Sequence, residues 1–302
     1  MWHSFKSYLR PVYSFLRFHG ARALLSLLAD RSISSPRGIS TDCNQDELTR
    51  QITGAIDTSV RWVRVTLDAD PINDRLAEYY EGNKEHYAID KGQGKALEHA
   101  LGLELIEFAQ VKRYCDIASA ASPIRHTLVK YFPNVELWVQ DLSYVTNMSS
   151  RRIGGGAQDM TLIPDGYFDA MTLHNSFEHF AWNADSEFIA EVDRVLSPIG
   201  ACVIVPLYLA ASHRIFFDPI VVSARVVDSY DKEAELVPVR AFGQEHARFY
   251  SAATLYQRLL AGAPLGLTVT ILELVGGSSI SPLMYPEFAL VLHREKSVFK
   301  YS

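Results

Sequence analysis

Lys112 to Asp141, KRYCDIASAASPIRHTLVKYFPNVELWVQD, constrains what this chain can fold into more than any other stretch. Arg113 to Ile117 is short and carries a carboxylate, Asp116, near its end. Ala118 to Ala121 are all small. Ser122-Pro123 then opens a helix, because serine caps free backbone N–H groups and proline suits the first helical position. Leu128, Val129 and Phe132 fall at helical spacing. Val135 to Val139 read as a second buried strand, with Asp141 at its end. A strand, a small-residue turn at a helix N-terminus and a second strand together frame a nucleotide-binding crevice. A carboxylate about 20 residues beyond the turn, at the tip of the second strand, suits a ribose diol.

The composition permits a fold of this size. The chain has 302 residues, 48% hydrophobic and 21% charged, which is the proportion of a soluble globular protein with a large core. The length fits one large domain or two. A formal net charge of −6 argues against a general nucleic-acid binder. Cys43, Cys115 and Cys202 are far apart and lack CxxC or histidine spacing. They read as free thiols in a reducing compartment, not as a disulfide framework or a zinc site. No run of about 18 apolar residues marks a transmembrane helix.

Residues 1–31 interleave Lys6, Arg10, Arg17 and Arg22 with Trp2, Phe5, Tyr8, Leu9, Phe15, Leu16 and Phe18, and carry no acid before Asp30. Three readings stand open: a mitochondrial transit peptide, a segment lying on an anionic membrane surface, or helices packed on the main domain or a partner. Ser32 to Gln45 is a Ser/Gly/Pro-rich linker. Asp46 to Asp57 reads as a helix, Arg61 to Asp68 as a strand or a bent helix, and Pro71 to Tyr80 as a further helix. Gly92 to Glu107 predicts one more amphipathic helix entering the crevice domain. Its Gly92-Gln93-Gly94-Lys95 lacks the spacing of a phosphate loop.

Beyond Asp141, Thr146 to Asp159 reads as a polar loop, and Gly154-Gly155-Gly156 is no dinucleotide fingerprint because no apolar strand precedes it. Tyr167 to Leu173 is a buried strand, Asp185 to Leu196 an amphipathic helix, and Ala201 to Val205 the next strand. This alternation predicts a mostly parallel sheet covered on both faces. Tyr208 to Gly243 is less regular and large enough for a substrate lid or a partner surface. Ser251 N-caps a helix to Gly262. Leu267 to Val275 and Glu287 to Leu292 predict two strands that close the sheet with an antiparallel edge.

Five stretches in this order resemble class I S-adenosylmethionine-dependent methyltransferases of the type 11 group, over roughly residues 84–294. Tyr114 to Ala120 stands where that family has its acidic, glycine-rich first motif, and Asp141-Leu142-Ser143 where it has its ribose-binding acid. Ile163 to Ala170, followed by Glu178-His179-Phe180, is similar to its "lP…fDaV…EH" stretch. Glu191 to Gly200 is similar to its "E..RVLkPGG" signature, and His246 to Ser251 resembles its "HvRfyt" segment. One departure is clear: Ala118, Ser119, Ala120 and Ala121 replace the glycines. An alanine forced to a positive φ costs on the order of 1 kcal/mol.

The resemblance implies an α/β fold: a Rossmann-like, seven-stranded, mostly parallel sheet with an antiparallel last strand, plus an N-terminal helical extension. It divides the chain into a helical extension or cap at 1–100 and a methyltransferase domain at 101–302, with 208–245 as a lid-like insertion. It implies S-adenosyl-L-methionine as cofactor and S-adenosyl-L-homocysteine as product. Cofactor-binding candidates are Asp116, Ala118, Ser119, Ala120, Asp141, Leu142, Asp159, Met160, His174 and Asn175. Asp116 faces the amino group, Asp141 takes both ribose hydroxyls, and Asp159 with Met160 meets the adenine. A hydroxyl acceptor must lose a proton, and histidine near neutral pH is the usual agent; the candidates are His246, His179 and His174.

No metal site is expected, since no carboxylates stand at metal spacing. The expectation is a cytoplasmic small-molecule or glycan methyltransferase, O-methylation favoured, with no nucleic-acid partner. Peripheral membrane contact through residues 1–31 and a homodimer remain open. The competing reading is a catalytically inactive methyltransferase-like binding or scaffold subunit. A nicotinamide oxidoreductase is disfavoured because no GxGxxG follows the first strand.

Overall fold

The computed structural model describes residues 45–55, 60–70, 72–74, 92–120, 122–222, 229–239, 242–280 and 286–302. Expectations for residues 1–31, the linker to residue 44 and most of Pro71 to Tyr80 fall outside these residues. The chain divides into two compact units. One comprises the described residues of 60–177 with Ala184–Leu207 and Arg258–Ser302; the other comprises 45–55, Glu178–Asn183 and the described part of Tyr208–Gln257.

The first unit is built on an eight-stranded sheet. Its strands are β1 (Val60–Thr66), β2 (Arg113–Ile117), β3 (Glu136–Asp141), β4 (Arg152–Gly154), β5 (Phe168–His174) and β6 (Leu196–Val205). β7 to β9 lie in the second unit, and β10 (Thr268–Val275) and β11 (Phe288–His293) complete the sheet. Across the sheet the order is β4-β3-β2-β5-β6-β11-β10-β1. The first five run parallel. β11 runs antiparallel to both β6 and β10.

All seven residues of β5 are buried, as a central parallel strand requires. The expected mostly parallel sheet with an antiparallel strand near the C-terminus is present. It has one strand more than expected, because Val60–Thr66 pairs parallel with β10 and makes the edge. Glu273 of β10, 1% exposed, holds that edge by accepting from Trp62 Nε1 at 3.3 Å and Arg64 Nη2 at 2.9 Å. The other edge is also longer than the sequence indicates. Arg152–Gly154, in the stretch read as a polar loop, pairs parallel with β3. Its backbone is paired although its composition is polar and glycine-rich.

Among the described residues, three helices of eight residues or more belong to this unit: α2 (Gly92–Glu104), α3 (Ile124–Tyr131) and α4 (Ala184–Val195). Leu97, Ala100 and Leu101 of α2 share a core with Tyr114, Ala170, Val203 and Val205 of the sheet. Each such aliphatic side chain contributes about 1.5–3 kcal/mol by leaving water. The start of α3 differs from expectation. Pro123 occupies the cap position, and Ser122 Oγ accepts from Ile124 N–H at 3.3 Å.

In the second unit α1 (Gln45–Ala55) buries Leu48 and Ile52 and packs on α5 (Ala252–Leu255). Ser251 caps α5 by accepting from Thr254 N–H at 3.2 Å. A single π turn, Tyr256–Leu260, follows in place of a continuous α-helix. Residues 208–249 contain a second sheet of order β8-β7-β9, from β7 (Arg214–Phe217), β8 (Glu235–Pro238) and β9 (Ala247–Phe249). Edge strand β9 carries a buried guanidinium. Arg248, 0% exposed, donates to Asp231 Oδ2 at 3.1 Å and to the carbonyls of Phe180 and Trp182 at 2.9 and 3.4 Å.

Candidate active site

The order of the large sheet reverses at one place. The chain runs outward from β2 to β3 and β4, then returns to lay β5 on the other side of β2. At such a reversal the loops leaving the two strands diverge and open a crevice beyond their carboxyl ends. The residues there are Asp116 near the end of β2 with Ala118 just after it, and His174 at the end of β5 with Asn175 just after it.

Both turns are left-handed at non-glycine residues: Ala118 has φ +55° and Asn175 φ +47°. The alanine-rich turn therefore keeps the conformation that glycine would favour, with the strain the sequence implies. Its amides are held by neighbours. Ala118 N–H donates to Gln140 Oε1 at 3.3 Å and Ser119 N–H to the Gln140 carbonyl at 2.9 Å. Ala120 N–H donates to Asp141 Oδ2 at 3.1 Å. Gln140, 1% exposed, also reaches the Gly155 carbonyl. This glutamine ties the first turn to the loop beyond β4. Inside an apolar strand nothing in the sequence singles it out.

Asp141 stands at the tip of β3. Its Oδ1 accepts from Ser143 N–H at 2.8 Å and Ser143 Oγ at 2.6 Å. A carboxylate has about four acceptor positions, and three are engaged. Leu142 beside it is 80% exposed. Asp116 is buried, and its Oδ2 has no partner among the described residues. Burial pushes its carboxyl up to about 7, against a hydrogen bond from Ser122 that lowers it; Asp141 raises it further.

Asp159 and Met160 lie together in the loop after β4. Asp159 is exposed, and Met160 is buried with its N–H on Glu191 Oε1 at 2.7 Å. Arg194 closes that loop. It donates to the Met160 carbonyl at 3.0 Å, the Ile163 carbonyl at 2.7 Å and Asp165 Oδ1 at 2.8 Å. Asp169 is equally structural, accepting from Lys112 and Arg113 N–H at 2.9 and 3.0 Å.

The three histidines fall in different surroundings. His174 is buried on the face of β5 that α2 covers, its ring edge-on to His99 at 4.7 Å. Burial, and then the charge of Lys95, lower it to about 3, so this ring is neutral at physiological pH. His179 and His246 lie in the second unit. His179 Nδ1 faces the His246 carbonyl, which requires a proton on Nδ1 and leaves the lone pair on Nε2. Glu178 Oε1 stands 3.5 Å from that Nε2. His246 is buried between the rings of His179 and Tyr230.

Residues 120–204 match the family model of the methyltransferase domain. The matched segment is 85 of the 302 residues. It runs from the first turn through β3, β4, β5 and α4 to β6 and so contains Asp141, Asp159, Met160, His174, Asn175 and His179. No curated protein matches the sequence.

Solved structures similar to this chain include a Burkholderia thailandensis 1,6-didemethyltoxoflavin-N1-methyltransferase bound to its namesake compound and S-adenosylhomocysteine. It is 12% identical over 74% of this chain and 86% of that one, with a TM-score of 0.41. An O-methyltransferase family protein of the same organism is 14% identical over 84% and 69%, at 0.40. A Pyrococcus horikoshii protein is 18% identical over 72% and 99%, at 0.42. At these identities and scores the likeness assigns no activity.

Proposed function

We propose that the chain is an S-adenosylmethionine-dependent methyltransferase acting on a hydroxyl of a small molecule or glycan. The observation that carries this is the match of residues 120–204 to the methyltransferase family model, directly after a left-handed Ala118 at the reversal of strand order. The residues present fit the cofactor. Asp141 retains an acceptor position for a ribose hydroxyl beside those filled by Ala120 and Ser143. Asp116 offers an unpartnered, buried carboxylate oxygen to an ammonium group. Ala118, Ser119 and Ala120 leave little bulk along the turn, and Leu142, Asp159, Met160, His174 and Asn175 complete the set.

When bound, the cofactor supplies a sulfonium methyl that is already electrophilic, so the protein's work is alignment, water exclusion and proton removal. The candidates for proton removal are His246, His179 and His174, and His179 has the tautomer a base needs. Its Nδ1–H is fixed on the His246 carbonyl, its Nε2 lone pair is free to take a proton, and Glu178 is placed to stabilise the resulting imidazolium. His246 then positions His179, and His174 serves as a neutral binding group.

The inactive scaffold reading has one observation in its favour, the fastening of Asp141 to its own turn. Calorimetry with S-adenosylmethionine and S-adenosylhomocysteine, followed by release of S-adenosylhomocysteine against a panel of hydroxylated compounds and glycans, separates the two. Binding without turnover supports the scaffold. Absence of both binding and turnover sinks the cofactor assignment.

A further inference from the structure

His174 presents an unusual balance. It is 7% exposed and neither ring nitrogen has a partner among the described residues. A buried polar group left in this way is unfavourable, and Asp116 Oδ2 on the same strand-tip pair is in the same condition. The register of β2 and β5 aligns Asp116 with Thr172, and His174 lies two residues on, so all three share one face of the sheet. This is the face where Tyr114 hydrogen-bonds Thr172 and where Leu97, Ala100 and Leu101 of α2 pack.

The ring orientation is set by α2. A Cβ on Gly102 would overlap His174 Nε2 and would stand 3.2 Å from both its Cδ2 and Val205 Cγ1. The helix backbone therefore abuts the Nε2–Cδ2 edge, and a Cβ at position 102 would have to displace the ring. One turn earlier His99 meets the same ring at an interplanar angle of 74°. In an imidazole, Nδ1 lies on the opposite edge from Cδ2. With Gly102 on one edge and His99 against the ring, Nδ1 is the nitrogen turned away from the helix backbone.

We infer that Gly102 and His99 are positioning residues that hold His174 so that its Nδ1 hydrogen-bonds the cofactor at the tips of β2 and β5. This rests on the cofactor assignment proposed above. Neither residue lies in the segment that the methyltransferase family covers, and neither is offered as touching the ligand.

The test is a double-mutant cycle read by calorimetry with S-adenosylhomocysteine, with thermal unfolding and far-ultraviolet circular dichroism confirming the fold. Loss of one buried hydrogen bond to the ligand predicts about tenfold weaker binding for His174→Ala. Gly102→Ala pushes the ring aside and gives a similar loss. In Gly102→Ala/His174→Ala the vacated ring volume accepts the new methyl, and affinity stays within about twofold of His174→Ala alone. His99→Phe keeps an edge-on ring and most of the affinity, whereas His99→Ala loses it.

Additive losses in the double variant overturn the inference, because a merely structural glycine would act whether or not His174 is present. Native-like binding by His174→Ala overturns it as well, and remains informative if Gly102→Ala fails to fold. Failure of the native chain to bind S-adenosylhomocysteine overturns the cofactor assignment and, with it, this inference.

Discussion

Two residues at the strand reversal carry opposite physical stresses, each with its own signature. Ala118 bears a left-handed backbone at φ +55°, worth about 1–2 kcal/mol for an L-residue. Ala118→Gly relieves that strain but adds about 0.5–1 kcal/mol of unfolded-state entropy. The expected result is a small net gain in denaturant unfolding, up to about 1 kcal/mol; a clear loss would show that the turn is unstrained. Asp116, raised to about 7 by burial, titrates in the other sense from an ordinary surface acid. Between about pH 4 and 7 the folded state holds a proton that the unfolded chain has released. Stability from this group therefore falls as pH rises through that window. Asp116→Asn removes the dependence and gains, relative to the native chain, more at pH 7.5 than at pH 5. Equal shifts at both pH values would refute the buried acid. If the ionised form receives an ammonium, S-adenosylhomocysteine affinity in the native chain also rises through pH 7 and flattens in the same variant.

At the scale of elements, two clamps fix segments that no local pattern would hold. Arg194 of α4 carries the 160–165 loop on two carbonyls and two carboxylates. Lysine cannot reproduce that planar fork. Arg194→Lys should cost about 1–3 kcal/mol in stability and open the loop to limited proteolysis; native resistance would show that the loop stands by itself. Glu273 does the same for β1. Glu273→Ala removes an acceptor shared by Trp62 and Arg64 and should strip hydrogen-exchange protection from Val60–Thr66 before β5. Unchanged protection there would mean that the backbone ladder with β10 suffices.

For the whole molecule, the second unit depends on a charge network inside a small fold. Asp231 accepts from both Arg248 and His213, and Arg248 reaches the carbonyls of Phe180 and Trp182. Trp182 itself sits at φ +55°, a strained state for a bulky residue. Breaking one partner of a buried charge pair costs about 3–5 kcal/mol. Arg248→Met is thus expected to lose exchange protection across residues 208–249, while β2 and β5 stay protected. Simultaneous loss in both would contradict two separate cores. No helix among the described residues is long and apolar enough to cross a membrane.

The strand–turn–helix order around Asp116 and Asp141, the buried runs of β5 and β10, and the α4 helix were legible in the sequence. Apolar periodicity, read with segment length and the flanking turn residues, separates a short buried strand from an amphipathic helix. The strand-tip positions of Asp116, Asp141 and His174 followed from that order. Three features were decided only by the assembled structure: the edge position of β1, the left-handed state of Ala118, and the setting of His174 between Gly102 and His99. Each depends on residues tens to hundreds of positions apart. A glycine in a helix reads as a weak spot until the ring that needs its missing Cβ is packed against it. Patterning is local and survives in the string of residues, whereas close approach and burial of charge belong to surfaces that exist only once the chain has folded.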